Sequence, residues 1–539
     1  MMKKLLLLAL PFATTVALAQ KDENAAKYAA GITPANLKAK LTILAGPEME
    51  GRETASPGQK KAAAWIEEQF KSFGLKPGNG DSYQQLYPVY QDQMTEHKLM
   101  VNGKNFAWDK DFSYAINNGS WKFNEVVFVG QGIVDSAKGI DDYKGLDVKG
   151  KVVVLIEGGT MPAVAGQGGG RNGGGGNPAF AAAQQLQLKA NAARLKGAAA
   201  VFTVVNFAGR QPTNTKGRMS ITAPGAATAA PANNGGGAGR PGGAGAGTPV
   251  FSASISNEVA SALFGRTSTI ALADLKDVNK GSYFSELVIT AVRETITLES
   301  SNVIGVLPGT SKKDEFVFMT GHYDHLGKQG NVIYYGADDD GSGSVGVIAQ
   351  AEAFGAAYKA GIKPKRTLIF MTVSGEEKGL LGSQYYSEHP TVDLAKASAD
   401  LNTDMIGRGD SSRKADTLNY IYVIGHDKLS SELATLSETV NKTYGITGLA
   451  LDYKYDDPAD PNRIYYRSDH YNFARKGVPI LFYYDGMLGA DYHRPSDTVD
   501  KIQFDIMAKR AQHVFLTGWT VANKDNMLKR DIPLNMPAR

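Results

Sequence analysis

The hydrophobic rhythm of the chain changes twice along its length. From about Thr33 to Tyr90 the apolar positions follow a helical period. Ala62, Trp65, Ile66, Phe70 and Phe73 share one face, and Gly74 is placed to stop the helix. From about Gln91 to Thr297 short strand candidates take over, at 125–129 and 151–156, with a helix candidate ahead of the apolar run 198–205. From about Leu298 to Asn526 strands and helices alternate. The strand candidates are 301–306, 315–320, 367–373, 399–404, 419–424 and 479–484. A helical stretch starting near Ser342 carries Val347, Ala351, Phe354 and Tyr358 on one face. Such alternation predicts an α/β fold with a mostly parallel mixed sheet covered by helices on both faces.

At 539 residues the chain exceeds one core, and about two to four domains are expected. The pattern divides it into 1–19, 20–90, 91–297, 298–526 and a tail over 527–539. Lys3 and Lys4, the apolar run opening at Leu5 and the small-x-small site Ala17-Leu18-Ala19 read as a signal peptide, removed before Gln20. The run is short for a bilayer and Pro11 interrupts it, so no stable membrane insertion is expected after its removal. Export to the periplasm or the extracellular space follows. The formal charge of +4, about +2 without the leader, comes with no dense basic run interleaved with aromatics, so nucleic acid is not an expected partner. Two Gly/Ala-rich tracts, 166–176 and 225–247, lack the strand, helix and Lys-Ser/Thr exit of a phosphate cradle and read as surface loops. The chain has no cysteine, so any zinc site must be built from His, Asp and Glu.

Candidate ligands punctuate the third region, each at or near a strand end. His322 follows 315–320. Asp338-Asp339-Asp340 precedes a helix. Glu376-Glu377 follows 367–373, Asp404 ends 399–404, and His493 comes shortly after 479–484. Strands of a parallel sheet share one C-terminal edge, so these segments meet in one crevice. Two histidines and three carboxylates exceed the three protein ligands of one catalytic zinc. They suit two ions about 3.5–4 Å apart with one carboxylate between them. The side chains of Glu376 and Glu377 should diverge, one binding metal and the other handling a proton. Asp338–Asp340 taken alone also fits a helix cap, but it lacks the alternating oxygens of a calcium loop.

Gly321-His322-Tyr323-Asp324, Ala337–Gly343, Ser374–Ser383, Asn402–Gly407 and Asp491-Tyr492-His493 together resemble the secreted bacterial di-zinc aminopeptidases. More distantly they are similar to glutamate carboxypeptidase II and the transferrin receptor ectodomain. Glu50-Gly51-Arg52 shares in the resemblance. It implies a zinc exopeptidase fold and two zinc ions per chain, with His322 and Asp404 on one, Glu377 and His493 on the other, and Asp339 bridging. It also implies a cis peptide after Asp339, Glu376 as general base, Asp324 orienting His322, and Tyr492 bonding the developing oxyanion. Arg467-Ser468-Asp469-His470 matches the family without a catalytic role being assigned. His97, His325, His389, His426 and His513 have no partnered motif and are expected at surface or structural positions. The stretch from Glu125 through Asp141–Val152 to Val205 resembles a β-rich protease-associated domain inserted into the peptidase.

The function so implied is hydrolysis of N-terminal residues from peptide substrates, by a metal-bridging water activated by Glu376. A carboxypeptidase or dipeptidase on the same scaffold is the nearest alternative. Glutaminyl cyclisation is disfavoured by the full ligand set, and a non-catalytic receptor-like binding protein would be expected to have lost ligands. Oligomeric state, native metal and preferred terminal residue are not encoded legibly.

Overall fold

The computed structural model describes residues 21–162, 178–225, 251–413, 419–445, 448–489 and 491–534. The leader over 1–19 and nearly all of both Gly/Ala-rich tracts lie outside the described residues. Two compact units divide the chain: one holds the described residues up to Tyr87 and from Glu299 onward, the other Pro88 to Leu298.

In the first unit the sheet order is Ala450–Asp452, Tyr420–Ile424, Ile480–Tyr484, Ala397–Thr403, Lys312–His322, Arg366–Val373 and the end of Gly281–Leu307. The four strands from Ile480–Tyr484 to Arg366–Val373 are mutually parallel. Antiparallel neighbours flank them, Tyr420–Ile424 on one side and Gly281–Leu307 on the other. The fold is therefore α/β with a mostly parallel mixed sheet.

Successive side chains of a strand face opposite ways, and both faces of this sheet are covered. Val317, Leu368, Phe370 and Leu401 enter a core closed by helices Pro34–Leu44, Pro57–Phe73, Gly343–Lys359 and Phe504–Asn523. Phe318, Ile369, Met371 and Phe482 enter a second core with Tyr386 of helix Leu381–Glu388 and Phe473 of helix His470–Ala474. This double burial is why the strands read as continuous apolar runs rather than alternating ones. Helix Pro57–Phe73 buries Ala62, Ile66 and Phe70 and stops at Gly74, whose φ of 86° is the left-handed conformation that glycine adopts without steric cost. Helix Gly343–Lys359 is buried on nearly every side, so its apolar face is wider than the four-residue stripe the sequence suggests.

In the second unit the strand order is Gly281–Leu307 (residues 281–291), Gly119–Phe128, Val152–Ile156, Ala200–Val204, Phe251–Ile255, Phe112–Tyr114. Three of its neighbour pairs are parallel. Its apolar cores are separate from those of the first unit. Among the described residues no helix is long and apolar enough to cross a membrane.

His513, on the inner face of helix Phe504–Asn523, is fully buried, and burial pushes its pKa down to about 4. The folded chain holds it neutral, whereas the unfolded chain takes up a proton below about pH 6.5. Its contribution to stability is intact above that value and is lost as pH falls toward 4, by up to about 3 kcal/mol. His513→Leu should therefore flatten the acid limb of a stability-versus-pH curve measured by urea unfolding, and an unchanged limb would contradict this.

Candidate metal centre

His322 is the last residue of its strand. Its Nδ1–H donates to the Asp324 carbonyl at 3.1 Å, which leaves Nε2 facing the crevice. The Asp324 carboxylate stands 3.6 Å from the same nitrogen. That carboxylate accepts Thr54 Oγ1–H at 2.6 Å and the Glu376 N–H at 3.2 Å. His322 Nε2 lies 3.4 Å from Asp339, 3.6 Å from Asp404 and 3.9 Å from Glu376.

The three consecutive aspartates do three different things. Asp338 accepts the Gly407 N–H at 2.9 Å and Ser342 Oγ–H at 3.1 Å. Asp340 accepts the N–H groups of His322, Gly343 and Met405 at 3.1, 2.8 and 2.8 Å. Asp339 alone faces the two imidazoles, with Oδ1 toward His322 and Oδ2 3.1 Å from His493 Nε2. The Asp339–Asp340 peptide is cis. Gly343 is needed beside them, because a Cβ there would fall 2.2 Å from Asp340 Oδ1 and 2.4 Å from the Thr403 carbonyl.

Glu376 and Glu377 diverge. Glu376 turns to the His322 side, whereas Glu377 Oε2 sits 3.1 Å from His493 Nε2 and Oε1 2.7 Å from His325 Nδ1. His325, expected at a surface or structural position, is thus fully buried inside the site. Its spacing from His322 alone could not show this, because the turn after the strand decides where the ring points. Tyr492 stacks on the His493 ring at 3.9 Å and accepts a hydrogen bond from Arg467 Nη2 at 2.9 Å. Glu376, Asp404, Arg467 and Tyr492 line one cavity with the apolar Met405, Ile464, Phe482 and Leu488. A larger groove of about 690 Å³, beside helices Leu433–Tyr444 and Phe504–Asn523, contains none of these groups.

The local field is strongly negative. Burial alone would lower the His493 pKa, but the carboxylates of Asp339 and Glu377 outweigh it and push the value up to about 11. Burial raises the Glu376 carboxyl well above the usual range, against the pull of His322 and with help from Glu377 and Asp404. The cation on the far side is Arg52, also fully buried. It donates to the carbonyls of Tyr323, Leu44, Tyr335 and Gly336 at 2.6 to 2.8 Å. Burial lowers its pKa to about 10, with Asp324 and Asp497 opposing, so it stays charged at neutral pH. The sequence ties Glu50-Gly51-Arg52 to the site only through the family resemblance.

His322 Nε2, His325 Nδ1, Asp339 Oδ2 and Glu377 Oε1 are buried without a hydrogen bond, although each lies close to another donor atom. Two groups among the described residues are spaced to hold an ion here, His322–Asp339–Asp404 and His325–Asp339–Glu377. Unpaired buried donors cost about 1–3 kcal/mol each, and a nitrogen–oxygen set is what zinc binds. The residues fit the metal.

Residues 302–517 match the family model described as Peptidase family M28. Over 220 residues, 40% of this chain and 55% of the relative, the sequence is 32% identical to a "Probable leucine aminopeptidase" of Arthroderma otae. It is 25% identical to "Aminopeptidase YwaD" of Bacillus subtilis over 43% of this chain and 46% of that one. The chain spans about half the length of the curated relatives it matches. The fold is that of a solved aminopeptidase from Aneurinibacillus sp. strain AM-1, with a TM-score of 0.50 at 20% identity over 96% of this chain and 100% of that one. It is also that of a zinc aminopeptidase from Bacillus subtilis, with a TM-score of 0.50 at 17% identity, 93% and 99% being covered. The resemblance read from the sequence, to the zinc aminopeptidase superfamily, therefore stands.

Substitutions separate the roles of the neighbouring aspartates. Asp340→Ala leaves three buried N–H groups unpaired and should cost about 3 kcal/mol or more in metal-free protein. Asp339→Ala should leave metal-free stability within about 1 kcal/mol and abolish tight zinc binding. Urea unfolding of both variants after chelation checks this, and equal losses would contradict it.

Proposed function

We propose that this chain is an exported di-zinc exopeptidase that acts as an aminopeptidase on peptide substrates. The observation that most supports it is the Asp339 carboxylate set between His322 and His493, with Asp404 on one side and Glu377 on the other. In this reading His322 and Asp404 would hold one ion, Glu377 and His493 the other, and Asp339 both. Bound zinc would supply Lewis acidity there. Glu376, which diverges from the Glu377 side, is free to take a proton from the attacking water on a carboxylate oxygen and return it to the leaving amine. Tyr492 Oη, held by Arg467, would donate to the oxygen that gains charge as the carbonyl is attacked. Asp324 acts through its carbonyl on His322 and through its carboxylate on the Glu376 main chain. Residues 91–297 are read as the inserted protease-associated domain, since none of these groups comes from there.

One observation favours a second reading. The Arg467 guanidinium faces the same cavity and suits a peptide's C-terminal carboxylate, as a carboxypeptidase or dipeptidase would need. Aminoacyl-chromogenic substrates and N-blocked peptides assayed side by side separate the two. A receptor-like role lacks the support of any missing ligand.

Glu376→Gln should keep both zinc ions and lose about 10²–10⁴-fold in kcat, and full activity would remove Glu376 from the mechanism. Elemental analysis of the intact protein should find two zinc ions per chain. A single tight ion with no second site would end the two-ion version.

A further inference from the structure

Outside the site, one other cluster among the described residues has metal-like spacing, His426–Asp427–Asp456, but it is already neutralised. Lys428 Nζ lies 2.6 Å from Asp427 and 2.9 Å from Asp456, and His426 Nδ1 bonds Asp456. The group left unexplained is His325.

Its ring is fully buried, and neither ring nitrogen makes a hydrogen bond. Nδ1 is 2.7 Å from Glu377 Oε1 and 4.0 Å from Asp339 Oδ2. The short contact to Glu377 lacks the angle of a hydrogen bond, and both atoms stay unpaired. His322 Nε2 shows the same signature toward Asp339, namely proximity without hydrogen-bond geometry. His325 also lies close enough to Asp339 and Glu377 for the three to share one ion.

The ring is also fixed in place. The His325 N–H donates to the Arg52 carbonyl at 3.2 Å. A Cβ at Gly336 would fall 2.5 Å from the His325 ring, and Gly336 has a φ of 53°, so that position admits glycine and the imidazole together. The His493 ring approaches from the other side of Glu377, with ring centroids 5.9 Å apart.

Resting on the di-zinc reading, we propose that His325 Nδ1 is a direct ligand of the ion held by Glu377 and His493. That position then has four protein donors, Asp339, Glu377, His493 and His325, against three at the His322 position. The two positions are unequal. The four-donor position fills first and holds its ion more tightly, whereas the three-donor position keeps more room for water and substrate.

X-ray absorption on the fully zinc-loaded chain tests this without a variant, because imidazole has a distinctive multiple-scattering signature. Three imidazoles shared by two zinc ions are expected, and two would overturn the assignment. His325→Gln should reduce the count to two and weaken the tight site by more than about 100-fold, beyond the 10–100-fold that loss of an outer hydrogen-bond partner causes. A weakening within that range, with the imidazole count unchanged, would make His325 a positioning residue for Glu377 and overturn direct ligation. Protein that binds no zinc would instead remove the di-zinc reading itself.

Discussion

Negative charge concentrated out of water is the constraint on which the parallel-sheet unit depends. Asp324, Asp338, Asp339, Asp340, Asp404 and Asp497 are all buried at one sheet edge, with Glu376 and Glu377 scarcely more exposed. An unpaired buried ion costs several kcal/mol even after relaxation, so each carboxylate needs a partner. The chain supplies three kinds. Main-chain N–H groups serve Asp340, Asp338 and Asp497. Arg52 places a fixed cation behind the turn that carries them. Imidazoles face Asp339 and Glu377, and there the pairing stops short, with donor atoms close together and unbonded. That remainder is the opening for a cation.

The same constraint explains why the site is built from strand ends and tight turns rather than from one helix. Three N–H groups can converge on Asp340 only if strand Lys312–His322, the turn at Gly343 and the segment after Thr403 meet within hydrogen-bonding reach. The parallel register of Lys312–His322 with both Arg366–Val373 and Ala397–Thr403 brings them there. Gly343 and Gly336 mark the two places where the backbone comes too close for a side chain. The candidate site and fold stability therefore share residues, and a substitution at Asp340 or Arg52 acts on the scaffold itself.

Much of this was legible in the chain itself. Five of the six apolar runs of the third region match strands within a few residues of their observed ends, because burial on both faces leaves a strong local signature. The strand near 301–306 is the exception, being the end of the longer Gly281–Leu307, whose earlier residues alternate in burial. The candidate ligands were visible as His, Asp and Glu at strand ends, and their convergence follows from parallel strands sharing an edge. What was not visible is direction. Nothing in Asp338-Asp339-Asp340 says which side chain turns to the crevice without the family resemblance. Nothing in Gly321–His325 says that the second histidine turns inward.

The sequence by itself determined the class of fold, the inventory of donor atoms and, through the absence of cysteine, their restriction to nitrogen and oxygen. These follow from local periodicity and composition, which need no knowledge of the partner segments. Only the tertiary structure decided that Arg52 balances the buried charge and that His325 belongs to the site. Each depends on the direction of a side chain at a turn, and that direction is fixed by contacts with residues tens to hundreds of positions away.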